Sequence, residues 1–420
     1  MSHEMMGAER RLVYTMPALP SDAVRCREFD RFFEAYRGPS FSVRTQDGWC
    51  WISSHRGNPA FTVTFSSRAA LDAVIEDSTE DAVAKAFLDG NLDIQGELFP
   101  LLSVAEYVLR HSSGLSRGLI GAISRATLDW VKGRRRPPVV TGWRFRGCSS
   151  DLPVEFFQGW LGPSLAHFCA RFRRPEDTLE AAQRNALEKI CAILQLEEGD
   201  HLLDLSCGWG SLLLHAAAQH GVRGQGITFS DQQAAIVRER CQRHGLGGQC
   251  TADCTDLAKV SRPGVSFEKI VDIGLFHQVA HSCFRSYLGC TFQTLALGGL
   301  LLLHRLTRSP KAPRNATEFG HIEPSATNTL PLLSSELQMA EAAGFQILSV
   351  EDLSREYRNT LHHWIERLRR TGSGTDMRQF RAWLFHLLDT ATKLDAGDVQ
   401  LDQVLLSKPA GGWSQATPEC

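Results

Sequence analysis

An acidic residue, a glycine-rich turn and a helical segment follow one another between residues 201 and 230, in an order that suits ligand binding. Three leucines flank Asp204 and lead into the turn Cys207–Gly210, which reads CGWG. Glycine at positions 208 and 210 lets the backbone approach a ligand without an intervening Cβ. A helical segment rich in leucine and alanine follows, and then a second short apolar run. The pattern therefore predicts a strand–turn–helix–strand unit whose first turn holds a nucleotide-like ligand.

The spacing of the turn narrows the choice of ligand. No third glycine stands where a dinucleotide pyrophosphate would need the amino end of the helix. An acidic residue that closes the strand, followed by x-x-Cys-Gly-x-Gly, favours S-adenosylmethionine, because this cofactor carries an amino-acid tail in place of phosphates. The pattern leaves two alternatives open, namely another nucleotide ligand and a tight turn that binds no ligand.

The rest of the chain predicts the elements that position this turn. From about residue 149 helical and strand patterns alternate to the end, which predicts an α/β fold with a mostly parallel sheet covered on both faces. Residues 25–131 mix short alternating runs with helical patterns and predict a small α+β domain, whereas residues 1–24 are expected to be weakly ordered. In the larger part, helices are expected at 176–194, 230–244 and 335–343, and strands at 270–275, 299–304 and 400–407.

Composition excludes several classes of protein. A net charge of −2 over 420 residues argues against extensive nucleic-acid binding, so no nucleic-acid partner is expected. Twelve cysteines without any CxxC pair favour a reducing cytoplasm. The amino terminus has no apolar segment of signal-peptide length. The longest apolar run, 295–303, is interrupted by two glycines and is too short to cross a bilayer.

A basic, proline-containing segment at 132–148 separates the two predicted domains. It is either a solvated tether or a surface that meets anionic lipid headgroups, where each basic residue contributes about 1 kcal/mol. Its cationic residues, with no acidic residue among them, are Lys132, Arg134, Arg135, Arg136, Arg144 and Arg146.

Several blocks of the chain, in order, resemble the cyclopropane-fatty-acyl-phospholipid synthases and the related mycolic acid cyclopropane synthases. LDLSCGWG is similar to the family's LDIGCGWG turn, IVDIGLFHQVAH to IVSVGMFEHVGH, and REYRNTLHHWIERL to HYxxTLxxWxxRF. AKAFLDGNLDIQG resembles a block of the family's amino-terminal part. The resemblance implies a Rossmann-like class I methyltransferase domain with a mostly parallel seven-stranded sheet over 149–409, preceded by a lipid-docking domain over 25–131.

The resemblance also implies a reaction, namely transfer of the methyl group of S-adenosylmethionine to a double bond in a phospholipid acyl chain. Such a transfer leaves positive charge on the chain, so the site must be apolar and exclude water. A base must then remove a proton within hydrogen-bonding reach of the transferred carbon. The resemblance implies that this base is a bound bicarbonate ion. The positions that align with its binding motifs hold Cys169, His277, His304 and Tyr357.

His277 departs from the family pattern, because it stands where the family has glutamate. An imidazole can donate a hydrogen bond to bicarbonate, and a protonated one would hold the anion more strongly. Alternatively, His277 itself accepts the proton and no bicarbonate is used, or it fills polar space in a site that is no longer active. His167 and Arg171 also stand where the family has two tyrosines, near the expected acyl chain.

Cofactor contacts carry over to the strand ends, and no metal is expected among them. Asp253 would accept a hydrogen bond from the adenine amino group, beside Cys254. Thr228 and Ser230 are equally well explained as a strand end and a helix cap. The remaining residues, grouped around the methionine part and the ribose, are Asp204, Ser206, Cys207, Gly208, Gly210, Thr228, Ser230 and Gln233.

The expected function is that of an S-adenosylmethionine-dependent C-methyltransferase acting on unsaturated acyl chains of membrane phospholipids. We expect a cytoplasmic protein associated peripherally with the inner face of the membrane, with a homodimer as the assembly to test. Two alternatives stay open. One is a diverged methyltransferase that acts on a soluble small molecule, and the other is an inactive lipid-binding relative.

Overall fold

The structure of the chain is a computed structural model. The predicted linker 132–148 and His277 lie outside the described residues, as does the end of the predicted domain 25–131. The residues that the structure describes are 22–53, 58–77, 80–104, 107–108, 152–228, 230–274, 281–312, 330–371 and 377–411.

The amino-terminal part forms a four-stranded sheet in the order β2-β1-β3-β4. Strands β1 and β3 run parallel, while β1–β2 and β3–β4 are antiparallel. Helix α1 begins at Asp22, so ordered structure starts within the stretch that was expected to be weakly ordered. The elements of this part are α1 (Asp22–Phe32), β1 (Phe41–Thr45), β2 (Cys50–Ile52), β3 (Phe61–Phe65), α2 (Arg68–Asp77), α3 (Glu80–Leu88) and β4 (Leu92–Gly96).

The carboxy-terminal part is built on a seven-stranded sheet in the order β10-β11-β9-β8-β5-β6-β7. Its strands are β5 (His201–Asp204), β6 (Arg223–Thr228), β7 (Cys250–Cys254), β8 (Phe267–Asp272), β9 (Leu295–Arg308), β10 (Gln346–Asp352) and β11 (Val399–Ser407). Its helices are α4 (Val154–Leu161), α5 (Leu179–Ile193), α6 (Ser211–His220), α7 (Asp231–Arg243), α8 (Leu257–Val260), α9 (His281–Thr294), α10 (Leu333–Ala342), α11 (Ser354–Thr371) and α12 (Met377–Asp395).

The sheet is mostly parallel, as predicted. Strands β5 to β9 pair in parallel, and the antiparallel pairs β9–β11 and β10–β11 close one side. Strand β9 is longer than the predicted 299–304. At its amino end the strand continues past an irregularity at Gly298, which has φ +77°, and at its carboxyl end the residues up to Arg308 pair with β11.

Alternation along β9 divides the core into two layers. Leu300, Leu302 and Leu306 belong to the larger buried cluster, whereas Leu301 and Leu303 belong to the smaller cluster on the opposite face. The larger cluster also contains buried residues of the amino-terminal sheet and of helices α4, α11 and α12. We call the sheet face that it covers the inner face.

The amino-terminal unit is anchored to two of the helices that cover the inner face. Arg381 of α12 donates to the carbonyl oxygens of Phe87 and Leu92, at 3.0 Å in each case. The ring of Phe99 lies 4.2 Å from that of His362 in α11. Helices in the described part of the chain are each too short or too polar to span a lipid bilayer.

Candidate functional site

The carboxyl ends of β5, β6, β7 and β8 meet at one edge of the sheet. Asp204 is in register with Gly226 on one side and Val271 on the other, and Ile227 is in register with Asp253. The chain leaves β5 towards β6 on one side, while β8 and β9 lie on the other. A crevice outside the strand ends, at such a switch in strand order, is where open α/β sheets bind ligands.

Backbone hydrogen bonds hold the glycine turn between its neighbouring strands. The Cys207 N–H donates to Ile227 O at 3.0 Å, and the Leu205 N–H donates to Val271 O at 2.8 Å. Gly208 has φ +51° and Gly210 has φ +81°, both in the left-handed region that favours glycine. A Cβ on Gly208 would meet only Ser206 O, at 3.9 Å, so the turn faces open space there.

Asp204 is buried and lies under this turn. Its Oδ1 accepts a hydrogen bond from the Ser206 N–H at 3.1 Å. Burial raises the pKa of its carboxyl to about 7; the Ser206 bond opposes this rise, and the nearby Asp272 carboxyl adds to it. Because no cation among the described residues offsets the burial, a positively charged ligand group would stabilise the ionised form. The turn and this carboxyl therefore fit S-adenosylmethionine, which carries an ammonium and a sulfonium group.

Ser206, which replaces a glycine of the family motif, joins the ends of β5 and β8. Its Oγ accepts a hydrogen bond from the Gly274 N–H at 2.9 Å. A Cβ on Gly274 would come within 2.9 Å of Ser206 O, so the two strand ends approach closely. The Ser206 side chain therefore has a structural role within the turn.

The residues predicted near the ribose make local contacts with one another. Ser230 caps helix α7, since its Oγ accepts from the Gln233 N–H at 3.3 Å. The Thr228 hydroxyl donates to Gln233 Oε1. This is the strand-end and cap arrangement that the sequence left as one of two readings. Asp253 is half exposed at the end of β7, with an oxygen 3.8 Å from Arg238 Nη1, and Cys254 beside it is exposed.

Cys169 and Tyr357 are brought together on the inner face, where both are buried. Burial raises the pKa of the Tyr357 hydroxyl, and the nearby Cys169 adds to this rise. Burial likewise raises the pKa of the Cys169 thiol, so that thiol stays protonated. Thr360, one turn along α11 from Tyr357, holds the loop after Cys169, because its Oγ1 accepts from the Ala170 N–H at 3.0 Å.

His304 lies in a ladder of polar side chains across three adjacent strands. Gln403 donates through Nε2 to Glu351 Oε2 at 3.0 Å, and its Oε1 lies 3.1 Å from His304 Nε2. The ladder ends at Arg171, whose Nη2 donates to Glu351 Oε1 at 2.6 Å. Since the Gln403 oxygen can only accept, His304 Nε2 carries a proton.

The imidazole of His304 is neutral at physiological pH. Burial lowers its pKa to about 4, and the hydrogen bond to Gln403 opposes this only in part. Arg171 ends the ladder that contains His304, and Cys169 lies two residues before Arg171 in the chain, so these groups lie close together. The structure thus brings Cys169, His304 and Tyr357 into one neighbourhood, while His277 lies outside the described residues.

Sequence reasoning missed two members of this neighbourhood. Glu351 and Gln403 were not predicted as site residues, and only the pairing of β10 with β11 and of β11 with β9 places them beside His304. Arg171 had been noted only as a departure from the family pattern. Its partner Glu351 is 180 residues away in the chain, so no local signal could have revealed the pair.

The two halves of the site share the inner face. Asp204 follows Leu202 by two residues, and His304 follows Leu302 by two, so each shares a sheet face with a leucine of the larger cluster. With strands about 4.8 Å apart and about 3.3 Å per residue along them, the Cα atoms of Asp204 and His304 are about 12 Å apart.

Packed aromatic rings form a wall that leads from the glycine turn to Tyr357. The ring of Trp209, in the glycine turn, lies 5.1 Å from that of Phe157. Phe157 is 6.0 Å from Trp160, which is 5.6 Å from Trp364, and Trp364 is 6.3 Å from Tyr357. The two ends of the site are therefore connected by buried rings from which water is excluded.

Comparison with known proteins places the chain in a family. Residues 148–404, more than half of the chain, match the family model described as mycolic acid cyclopropane synthetase. A probable fatty acid methyltransferase of Pseudomonas putida is 28% identical over 360 residues, which cover 84% of this chain and 88% of that protein. The cyclopropane-fatty-acyl-phospholipid synthase of Escherichia coli K12 is 30% identical over 263 residues, covering 61% of this chain and 66% of the relative.

Solved structures agree on the fold. The cyclopropane synthase MmaA2 from Mycobacterium tuberculosis superposes with a TM-score of 0.58 at 24% identity, covering 65% of this chain and all of that one (100%). A coclaurine N-methyltransferase, with bound N-methylheliamine and S-adenosylhomocysteine, gives a TM-score of 0.61 at 18% identity over 78% of this chain and 99% of its own. The chain belongs to the mycolic acid cyclopropane synthetase family and is an S-adenosylmethionine-dependent methyltransferase with a class I Rossmann-like domain.

Proposed function

We propose that this enzyme methylates the double bond of unsaturated acyl chains in membrane phospholipids. The observation that carries the proposal is the inner-face site, where an uncharged imidazole, a phenol and a thiol lie at the end of a wall of aromatic rings. The printed names of the relatives from Pseudomonas putida and Escherichia coli, a fatty acid methyltransferase and a phospholipid cyclopropane synthase, support the same substrate class.

In this proposal the strand ends position the methyl donor. S-adenosylmethionine supplies an activated methyl group when bound. Asp204 accepts hydrogen bonds from its ammonium group, and the open backbone at Gly208 admits its amino-acid part. Asp253, at the end of β7, accepts from the adenine amino group. Thr228, Ser230 and Gln233 shape the ribose region through the cap that they build.

The aromatic wall has a chemical purpose as well as a structural one. Methylation of an alkene leaves positive charge on the acyl chain, and water would trap it. Trp160 and Trp364 are almost fully buried and bring no charge to the site. Their ring faces also carry partial negative charge, which favours a nearby cation.

His304, Tyr357 and the backbone near Cys169 are proposed to hold the group that removes the final proton. The proton acceptor is either a bound bicarbonate ion or the imidazole of His277. The substitution His277→Glu separates them. Retained or increased ring formation supports bicarbonate, whereas loss of turnover with normal S-adenosylhomocysteine binding identifies His277 as the base.

The amino-terminal domain 25–131 and the linker 132–148 are proposed to bring the enzyme to the lipid surface. The linker's cationic residues would meet anionic headgroups. Sedimentation with vesicles of phosphatidylglycerol tests this step. The full chain should pellet with them at low salt, and a chain with serine at the six linker cations should stay in the supernatant. Equal sedimentation of the two chains would refute membrane docking through the linker.

Expression in a bacterial host that lacks its own synthase tests the reaction. Mass spectrometry of membrane fatty acids should show unsaturated chains that have gained one CH₂ unit, and this product should disappear with Asp204→Asn. Rings, or methylene branches and methyl-branched alkenes formed by loss of a different proton, each agree with alkene methylation. Unchanged alkenes, in cells whose purified enzyme binds S-adenosylhomocysteine, would rule out acyl chains as substrate and favour a soluble acceptor. Absence of such binding would indicate an inactive relative.

A further inference from the structure

A cysteine and two histidines converge on the side of the molecule away from the catalytic crevice. Cys191 lies in the last turn of α5, His215 lies in the middle of α6, and His220 ends that helix. One ligand atom from each side chain, the Cys191 Sγ and one ring nitrogen of each histidine, lies within 4.8 Å of the other two. The methyl-transfer site uses none of the three, because it sits at the opposite, amino-terminal end of α6.

The donor set is one that zinc prefers. A thiolate and two imidazoles supply three of the four ligands of a tetrahedral Zn²⁺ site. Bond lengths of about 2.3 Å to sulfur and about 2.0 Å to nitrogen put the donor atoms about 3.5 Å from one another. Side-chain rotation is enough to reach that separation from the present positions, since the backbones of α5 and α6 already bring the donors together.

Burial at the cluster suits entry of an ion from solvent. Cys191 is fully buried, whereas both imidazoles are half buried and form the outer side of the cluster. Glu188, one turn before Cys191 on α5, acts electrostatically on both Cys191 and His215. Its half-exposed carboxylate contacts Arg173 at 3.2 Å. A water molecule or this carboxylate can complete the coordination.

We propose that Cys191, His215 and His220 bind one Zn²⁺ ion that links helix α5 to helix α6. The Cys191 thiol releases its proton to solvent on binding, and both imidazoles bind in their neutral form. Because α6 starts at the glycine turn, this link would stabilise the framework of the cofactor site without taking part in the reaction.

Metal analysis and cobalt spectroscopy of the purified full chain test the site. We expect one Zn²⁺ per chain and, after exchange with Co²⁺, a near-ultraviolet thiolate-to-cobalt charge-transfer band. Saturating ZnCl₂ should raise the Tm of the metal-free protein by about 5 °C. Cys191→Ser should abolish the band and weaken zinc binding by about 100-fold or more. Cys290→Ser, at a buried cysteine in α9, should change neither.

A second variant keeps the test decisive if Cys191→Ser does not fold. His220→Gln alters a half-buried side chain at a helix end and should keep the fold while it weakens zinc binding. Absence of a thiolate–cobalt band in the wild-type chain would overturn the proposal. So would a band that persists in Cys191→Ser, because the metal would then be bound elsewhere, for example by Cys241 and Cys250, whose sulfur atoms are 2.7 Å apart.

Discussion

At the scale of single residues, the site depends on groups whose protonation is set by burial. Asp204 is an acid whose pKa is raised to about 7, and His304 is a base whose pKa is lowered to about 4. Both shifts favour the uncharged form, because burial in a low-dielectric site penalises a charge. The two residues differ in the charge state in which they act. A cationic ligand can restore the charge of Asp204, whereas His304 acts as a neutral group.

Binding of S-adenosylhomocysteine should depend on pH through Asp204. The ligand's ammonium group favours the ionised carboxyl, so affinity should rise as the pH passes about 7. Asp204→Asn should bind about 10- to 100-fold more weakly, because the acceptor of the ligand's ammonium group loses its negative charge. Isothermal titration across this pH range measures both effects. A wild-type affinity that does not change with pH would contradict the assignment.

The same carboxyl has an effect of opposite sign on the stability of the ligand-free protein. A raised pKa means that the folded chain binds this proton more tightly than the unfolded chain. The contribution of Asp204 to stability is therefore present at acidic pH and is lost as the pH rises from the ordinary aspartate range towards about 7. Urea unfolding of wild type and Asp204→Asn should show a difference that grows over this interval.

His304 and Tyr357 should affect turnover and leave cofactor binding unchanged. Both are remote from Asp204 but close to the proposed path of the proton. General acid–base groups typically raise the rate of a reaction by roughly 10²- to 10⁴-fold. We expect His304→Gln and Tyr357→Phe each to lower kcat by about 100-fold, with S-adenosylhomocysteine affinity within twofold of wild type. Tyr107→Phe, which removes a hydroxyl bonded to Phe32 O in the amino-terminal unit, is the matched control.

At the scale of elements, close packing of the turn between β5 and β6 decides where the ligand crevice lies. A Cβ on Gly226 would come within 2.6 Å of both the Cys207 sulfur and Leu213 Cδ1. Gly226 therefore allows β6 to approach the turn and helix α6 closely. The polar ladder on β9, β11 and β10 is also a property of elements, because it exists only through their cross-strand register.

Gly226→Ala should destabilise the enzyme by about 1–3 kcal/mol, the usual cost of an extra methyl group in a packed core. Gly289 provides a matched control. It lies in helix α9, where a Cβ would meet nothing within 4 Å. Gly289→Ala should therefore stabilise the protein by about 0.5–1 kcal/mol. Chemical denaturation of the two variants measures the difference, and equal stability would mean that β6 has room to move.

At the scale of the whole molecule, the two sheets share one core. Phe41 and Phe61 of the small sheet belong to the same buried cluster as Leu302 of the large sheet and Trp364 of α11. The amino-terminal unit thus packs on the helices that cover the inner face of the large sheet. A change in the position of this unit, on a lipid surface for example, would therefore shift the helices beside the proposed acyl site.

Arg381 should be the residue that holds this arrangement. It donates to two carbonyl oxygens of the small unit and lies 5.1 Å above the ring of Phe87. Arg381→Ala should cost about 2 kcal/mol, because buried acceptors lose a charged donor. The control is Arg378→Ala, at a largely exposed arginine 3.9 Å from Asp89, with an expected effect within about 0.5 kcal/mol. Thermal unfolding with limited proteolysis should separate the two variants.

Local sequence determined the strand–turn–helix unit and the alternation of strands and helices. These features follow from short-range spacing: glycines at positive φ, an acid at a strand end and a serine cap. Tertiary structure alone decided that Glu351 and Gln403 lie beside His304, that Arg171 pairs with Glu351, and that Cys191 meets two histidines of the next helix. Such groupings join residues distant in the chain, and strand register and helix packing bring them together only after the core has formed.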